Sequence, residues 1–169
     1  MNSEIMQMIN DIGLVPLITL DNPEDAVPLG HALIRGGIPI AEVTFRTDAC
    51  LDVIRIMKDI PDMIVGAGTV HSVEQAESAV KAGAQFIITP AYNPKVTEWC
   101  VKNNVKIIPG TVSPHDIEAA YQLHLSTKIG HKTKKIRHKK RIDVQDSSTF
   151  LTSFKLVRQT MPSIMQTRS

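Results

Sequence analysis

Short apolar runs alternate with stretches of helical periodicity through the first 120 residues of the chain. Leu14-Val-Pro-Leu-Ile-Thr-Leu20, bounded by Gly13 and the turn-forming Asp21-Asn22-Pro23, predicts a strand. Pro16 is tolerable in it only near a strand start or at an edge, because proline has no N–H for the ladder. From Glu24 to Arg35, Ala26, Val27, Leu29, Ala32 and Leu33 recur at helical spacing until Gly36-Gly37 ends the run. Ile38 to Phe45 reads as a second strand. Thr47 or Asp48 can then cap a helix carrying Leu51, Val53, Ile54, Ile56 and Met57. Met63-Ile-Val65 leads into Gly66-Ala-Gly68, and Ser72 caps the next helix, with Gln75 as its capping-box partner and Gly83 at its end. Gln85 to Thr89 and Val105 to Ile108 are the fourth and fifth strands, separated by a helix that Pro94 opens and that runs through Cys100. Ser113-Pro114 sets an N-cap before a proline at the first helical position, and this fifth helix runs to about Tyr121.

The strand centres fall near residues 17, 41, 64, 87 and 107. Such steps are what a strand, a short helix and two short loops consume. Continuous apolar strands alternating with amphipathic helices predict a parallel sheet, and an open doubly wound sheet and a closed (β/α)₈ barrel both satisfy the pattern. Gly66-Ala-Gly68 continues as Thr69-Val70-His71, without the third glycine of a dinucleotide fingerprint, so no nicotinamide cofactor is expected.

In parallel α/β folds the functional groups sit where strands end and loops begin. Alternation along Glu42-Val-Thr-Phe-Arg46 puts Glu42, Thr44 and Arg46 on one face and Val43 and Phe45 on the other. Two readings stand side by side. One is a structural Glu–Arg pair that offsets the burial of each charge. The other is a carboxylate that moves protons beside a guanidinium that holds an anionic substrate. Gly66 and Gly68 would let backbone approach a ligand closely, and the Thr69 hydroxyl can donate to a carboxylate. Thr89-Pro90 and Pro109-Gly110-Thr111 end their strands in the small, polar or turn-forming residues that a site built from several loops needs.

Glu42-Val-Thr-Phe-Arg-Thr47, Val65-Gly-Ala-Gly-Thr-Val70, Ala82-Gly-Ala-Gln-Phe86 with Thr89-Pro90, and Ile108-Pro-Gly110 with Ser113-Pro114 resemble successive signatures of the bacterial 2-keto-3-deoxy-6-phosphogluconate / 4-hydroxy-2-oxoglutarate aldolases. The match runs in order from about Gly13 to Leu125. The resemblance implies a (β/α)₈ TIM barrel, a cytoplasmic lyase of sugar-acid breakdown (the Entner–Doudoroff pathway), and homotrimers. It also implies reversible cleavage of a small-molecule keto acid to pyruvate and an aldehyde through a lysine Schiff base, with no metal and no cofactor. Carried across, Glu42 is the proton-transfer carboxylate, Arg46 and Thr69 hold the pyruvyl carboxylate, and Pro90 lines the pocket.

The resemblance stops where the family's lysine strand is due. Here the chain reads His124-Leu-Ser-Thr-Lys-Ile-Gly-His131. Ile129 occupies the lysine position and Lys128, the remaining candidate nucleophile, sits one residue early, an offset that turns a strand side chain to the other face. Composition changes at the same seam. Residues 1–125 carry 8 Lys+Arg against 15 Asp+Glu, a charge of −7, whereas residues 126–169 carry 11 against 2, a charge of +9. All 12 alanines lie at or before Ala120, and seven of the ten residues from Lys132 to Arg141 are Lys or Arg.

The expectation is therefore an incomplete barrel of about five βα units over residues 1–125, followed by a distinct basic segment over 126–169. Three readings of that segment compete: sequence foreign to the family, as out-of-frame translation would give; an arm that binds nucleic acid or another acidic surface; and a divergent sixth unit using Lys128. The arm has no aromatic residues interleaved for base stacking, so nucleic acid is not the expected partner. Five units cannot close a barrel, which leaves the first and fifth strands as open edges and exposes apolar surface. Phe150 to Val157 would form at most a marginal helix, and 126–142 a solvated or disordered stretch. No run is long and apolar enough for a membrane span, and Met1-Asn-Ser-Glu-Ile-Met6 lacks the pattern of a signal peptide. The isolated Cys50 and Cys100 suggest neither a disulfide nor zinc, but two buried thiols in a reducing compartment.

Overall fold

The computed structural model describes residues 2–123, 125, 129–130 and 155–158. A helix, α1 (Asn2–Ile12), precedes the repeated units. These run β1 (Leu14–Ile18), α2 (Ala26–Arg35, entered through a 3-10 turn at Pro23–Asp25), β2 (Ile40–Thr44), α3 (Cys50–Met57), β3 (Ile64–Gly68), α4 (Val73–Ala82), β4 (Phe86–Thr89), α5 (Pro94–Lys102), β5 (Lys106–Thr111) and α6 (Pro114–Gln122). Strands β1 to β5 lie side by side in chain order, each parallel to the next. An order without reversal has no switch point, which decides against the doubly wound sheet. The five parallel strands with their helices form a half-barrel.

Alternation along each strand divides the apolar residues between two cores. Ile18, Ala41, Val43, Val65, Ala67, Ile87 and Ile107 pack under the helices, against Leu33, Val53, Met57, Ala76, Ala79 and Val96. Val15, Ile40, Ile64, Phe86, Ile88 and Ile108 face the other way, into the concave side. There α1 covers them with Ile5, Met6, Met8, Ile9 and Ile12, and Ile9 is only 1% exposed. This helix is absent from the expectations above, although its i, i+4, i+7 spacing of Ile5, Ile9 and Ile12 is legible. Both cysteines are buried, and burial pushes each thiol up to about 12.

Several local expectations change. Gly83 ends α4 in the left-handed region, with φ 110, as a helix-ending glycine does. Ser72 caps α4 by accepting from Gln75 N, but the Gln75 side chain accepts from His71 N instead of closing the box on Ser72. The complete capping box belongs to α6, between Ser113 and Asp116. Neither Thr47 nor Asp48 caps α3: its N-cap is Ala49, without a side-chain bond.

The edges are also occupied. A two-residue strand, β6 (Ile129–Gly130), lies parallel on β5, and β7 (Lys155–Arg158) lies antiparallel on β1. Residues 155–157 are thus strand where a marginal helix was expected, because the unpaired side of β1 offers a ladder that an isolated short helix cannot match. The recorded pairing of β1 with β2 begins at Leu17, so Pro16, which has no N–H, falls outside it. Exposed apolar surface is found at Val112, Ile117 and Tyr121 on the β5–α6 segment, while the concave face is buried. Lys128 and most of the basic segment lie outside the described residues.

Gly66 is where the concave side makes room for its largest side chain. A Cβ at Gly66 would overlap the Phe86 ring. Gly66→Ala is therefore expected to destabilise the fold by about 1–3 kcal/mol through overpacking. In urea unfolding the double variant with Phe86→Leu should cost less than the sum of the two single changes, and simple additivity would contradict this contact.

Candidate functional site

Glu42, Arg46, Thr69 and Pro90 stand at or just beyond the carboxyl ends of β2, β3 and β4. Register pairs Glu42 with Gly66 and Thr44 with Gly68, so the ends of β2 and β3 finish level. Glu42 is 5% exposed on the concave side, and its carboxyl lies where a Cβ at Gly68 would be. The space that the sequence suggested for a ligand's approach is thus taken, at Gly66 by Phe86 and at Gly68 by Glu42. Burial pushes the Glu42 carboxyl up to about 7, with the positive charge of Arg46 acting in the opposite direction. Arg46 itself is exposed. The two form no ion pair: those within 4.0 Å among the described residues are Arg55–Asp52 and Lys58–Asp59, both on the surface. A paired structural salt bridge is therefore not what keeps Glu42 buried. A carboxyl that titrates near neutrality can both take and give a proton at physiological pH.

Thr69 follows directly, half-buried, with φ 59. A β-branched residue in the left-handed region is strained by roughly 1–3 kcal/mol, and such strain gathers at sites where surrounding structure dictates the backbone. Val70 N then donates to Ile88 O at 3.3 Å, tying the end of β3 to β4. Pro90 follows β4 directly, and its carbonyl fills the place of a Cβ at Gly110 on β5. A cavity of about 430 Å³ opens beside these groups, between the β3–α4 and β4–α5 loops, lined by Val70, His71, Pro90, Tyr92, Asn93 and Lys95 among others. It shares Pro90 with the predicted site but not Glu42, Arg46 or Thr69. Among the described residues no group of three His, Cys, Asp or Glu side chains is placed to hold a metal ion, and no helix is long and apolar enough to cross a membrane.

Comparison with known proteins shows the family. The family model for KDPG and KHG aldolase matches residues 5–129. The chain belongs to the KDPG and KHG aldolase family. It is 45% identical over 123 residues to the 2-dehydro-3-deoxy-phosphogluconate aldolase of Treponema pallidum, covering 72% of this chain and 59% of that protein. With the KHG/KDPG aldolase of Escherichia coli K12 it shares 41% over 98 residues, covering 57% of this chain and 46% of that one. Among solved structures, the 2-keto-3-deoxy-6-phosphogluconate aldolase of Zymomonas mobilis ZM4, crystallised with 3-phosphoglycerate, superposes with a TM-score of 0.70 at 30% identity, covering 74% of this chain and 60% of that one. The Legionella pneumophila enzyme, holding pyruvate as a covalent carbinolamine intermediate, superposes with a TM-score of 0.62 at 34% identity, covering 64% and 53%. The chain thus spans less than two thirds of the length of these aldolase relatives.

Within this aldolase half-barrel, the residues that sequence reasoning missed are threonines. Thr44, 1% exposed, donates to Ile18 O at 3.1 Å and meets Thr19 Oγ1 at 2.8 Å. Thr47 donates to Leu20 O at 2.7 Å. The signal for Thr44 was present, since it shares the Glu42 face by alternation; the cross-strand partners were not legible. Where the lysine strand is due, Gly110 pairs with Ile129.

Because the folded pKa of Glu42 lies above its ordinary 4.5, the fold opposes its ionisation. The group leaves stability intact below pH 4.5 and removes it as the pH rises through about 7. At roughly 1.4 kcal/mol per unit, the neutral isostere Glu42→Gln should match the parent near pH 4 and exceed it by about 3 kcal/mol at pH 8–9. Urea midpoints across that range decide it, and a difference that stays flat with pH would contradict the burial of a titrating carboxyl.

Proposed function

We propose that this chain is the keto-acid-binding and proton-transferring half of a KDPG/KHG-type lyase. Its substrate class is a 2-keto-4-hydroxy acid whose cleavage yields pyruvate and an aldehyde. The observation that carries the reading is Glu42, a carboxyl buried at the end of β2 and titrating near neutrality within the field of Arg46. Arg46 and Thr69 take the substrate carboxylate, Pro90 lines the pocket, and Glu42 accepts the proton of the C4 hydroxyl as the C3–C4 bond breaks. Cleavage of that bond needs an electron sink, which a lysine iminium supplies. The position for that lysine is Ile129, opposite Gly110, with Lys128 one residue early. On this reading residues 1–125 are the aldolase unit and 126–169 a separate segment. The chain binds keto acid but forms the covalent adduct poorly. The family resemblance further supports a cytoplasmic role in sugar-acid breakdown, by the Entner–Doudoroff route, and assembly as homotrimers.

Trapping with pyruvate and borohydride tests both halves of the proposal by mass spectrometry. The parent chain should remain essentially unlabelled, and Ile129→Lys should gain an adduct on the new lysine. An adduct on Lys128 or any other lysine of the parent would show that the nucleophile is not lost. An Ile129→Lys variant that neither labels nor binds pyruvate would sink the site assignment itself.

A further inference from the structure

Four consecutive residues, Thr44 to Thr47, join the end of β2 to the loop before α3, and three of them are tied across the structure. Thr44 gives its single proton to Ile18 O at 3.1 Å, so in its 2.8 Å contact with Thr19 the donor is Thr19. Phe45 N donates to Gly68 O at 2.9 Å, on the opposite flank. Thr47 Oγ1 donates to Leu20 O at 2.7 Å, 27 residues earlier in the chain, beyond the last residue of β1. Arg46 is the exposed member of the four, and its N–H folds back on Thr44 O at 2.8 Å. Its guanidinium enters no ion pair among the described residues. With no ion-pair partner the guanidinium ranges over the volume its side chain can reach, so the backbone that carries it sets the centre of that range, and Thr47 holds the far end of that backbone. A threonine preceding a helix ordinarily spends its side chain on the cap, yet the N-cap of α3 is Ala49, without a side-chain bond.

We propose that Thr47 is a positioning residue for Arg46: its hydrogen bond to Leu20 closes the loop after β2 onto the end of β1 and sets the distance from the guanidinium to the Glu42 carboxyl. The proposal rests on reading Glu42 and Arg46 as parts of one site, and it adds to that reading the residue that keeps them in register. Arg46 is the charge that acts on Glu42, so the Glu42 titration reports the separation directly, whether or not the chain turns over substrate.

The experiment is a carbon-13 NMR titration of the Glu42 carboxyl in the full chain. Arg46→Gln should raise the midpoint above the parent's value by removing the favourable charge. Thr47→Val should raise it in the same direction, Thr47→Ser should restore the parent value by keeping the donor, and Thr47→Val should add nothing in the Arg46→Gln background. Thr47→Ala takes the place of the valine variant should the latter not fold. A Thr47→Val or Thr47→Ala midpoint equal to the parent's overturns the positioning role, as does a shift that persists undiminished once Arg46 is gone. If Arg46→Gln itself leaves the midpoint unmoved, the one-site reading of Glu42 and Arg46 falls, and the role of Thr47 falls with it.

Discussion

A carboxyl group taken out of water, with no cation in direct contact, is costly to keep, and its surroundings among the described residues are arranged around it. Glu42 fits on the concave side only because Gly68, level with Thr44 on the next strand, has no side chain. One glycine earlier, the same strand yields its space to Phe86. A strand reading Gly-Ala-Gly therefore serves two neighbours at once, one apolar and one acidic, while its intervening Ala67 packs under the helices. Burial costs Glu42 its ordinary acidity, and Arg46 returns part of it through space. The result is a carboxyl poised to titrate near neutrality, at the end of the sheet where β2, β3 and β4 stop together.

The two ends of the concave face divide the work. Toward the start of the strands, Val15, Ile40, Ile64, Phe86, Ile88 and Ile108 make a greasy layer that α1 seals. Toward their ends stand Glu42, Thr44, Gly68, Thr69 and Pro90. An apolar floor under a polar rim lowers the local dielectric beneath the carboxyl. The rim's stiffness comes from side-chain bonds to backbone: Thr44 to Ile18, Thr47 to Leu20 and Asn93 to His71 O at 2.8 Å. Thr69, held at positive φ, belongs to the same rim.

Much of this was legible from residue order. The five strands and five following helices are found close to the predicted positions, because period-two and period-3.6 patterns report directly on which face is buried. The family signatures led to the family that the comparison shows, and the four residues carried across from it stand at or just beyond the ends of β2, β3 and β4. The chain's departure from the family pattern at Ile129 was visible as a one-residue offset, and in the structure that residue pairs with Gly110 on β5. What was misread depended on partners far away in sequence. Local rules favour Thr47 or Asp48 as the cap of α3, but the Thr47 hydroxyl donates to Leu20 O across the strands. The glycines at 66 and 68 were read as room for a ligand, whereas distant side chains fill them. The strand at 155–158 has no local signal strong enough to compete with its helix-like spacing; only the free side of β1 makes it a strand.

The sequence by itself determined the repeat, the parallel alternation, the family and the placing of Glu42 and Arg46 at the end of β2. These follow from spacing and residue type, which local sterics and hydrophobic periodicity translate without reference to distant chain. Tertiary structure alone decided that Glu42 and Arg46 are near but unpaired, that α1 floors the concave face, and that Thr47 ties to β1 and leaves α3 uncapped. Each of these turns on a few ångströms between residues tens of positions apart, and packing, not pattern, sets such distances.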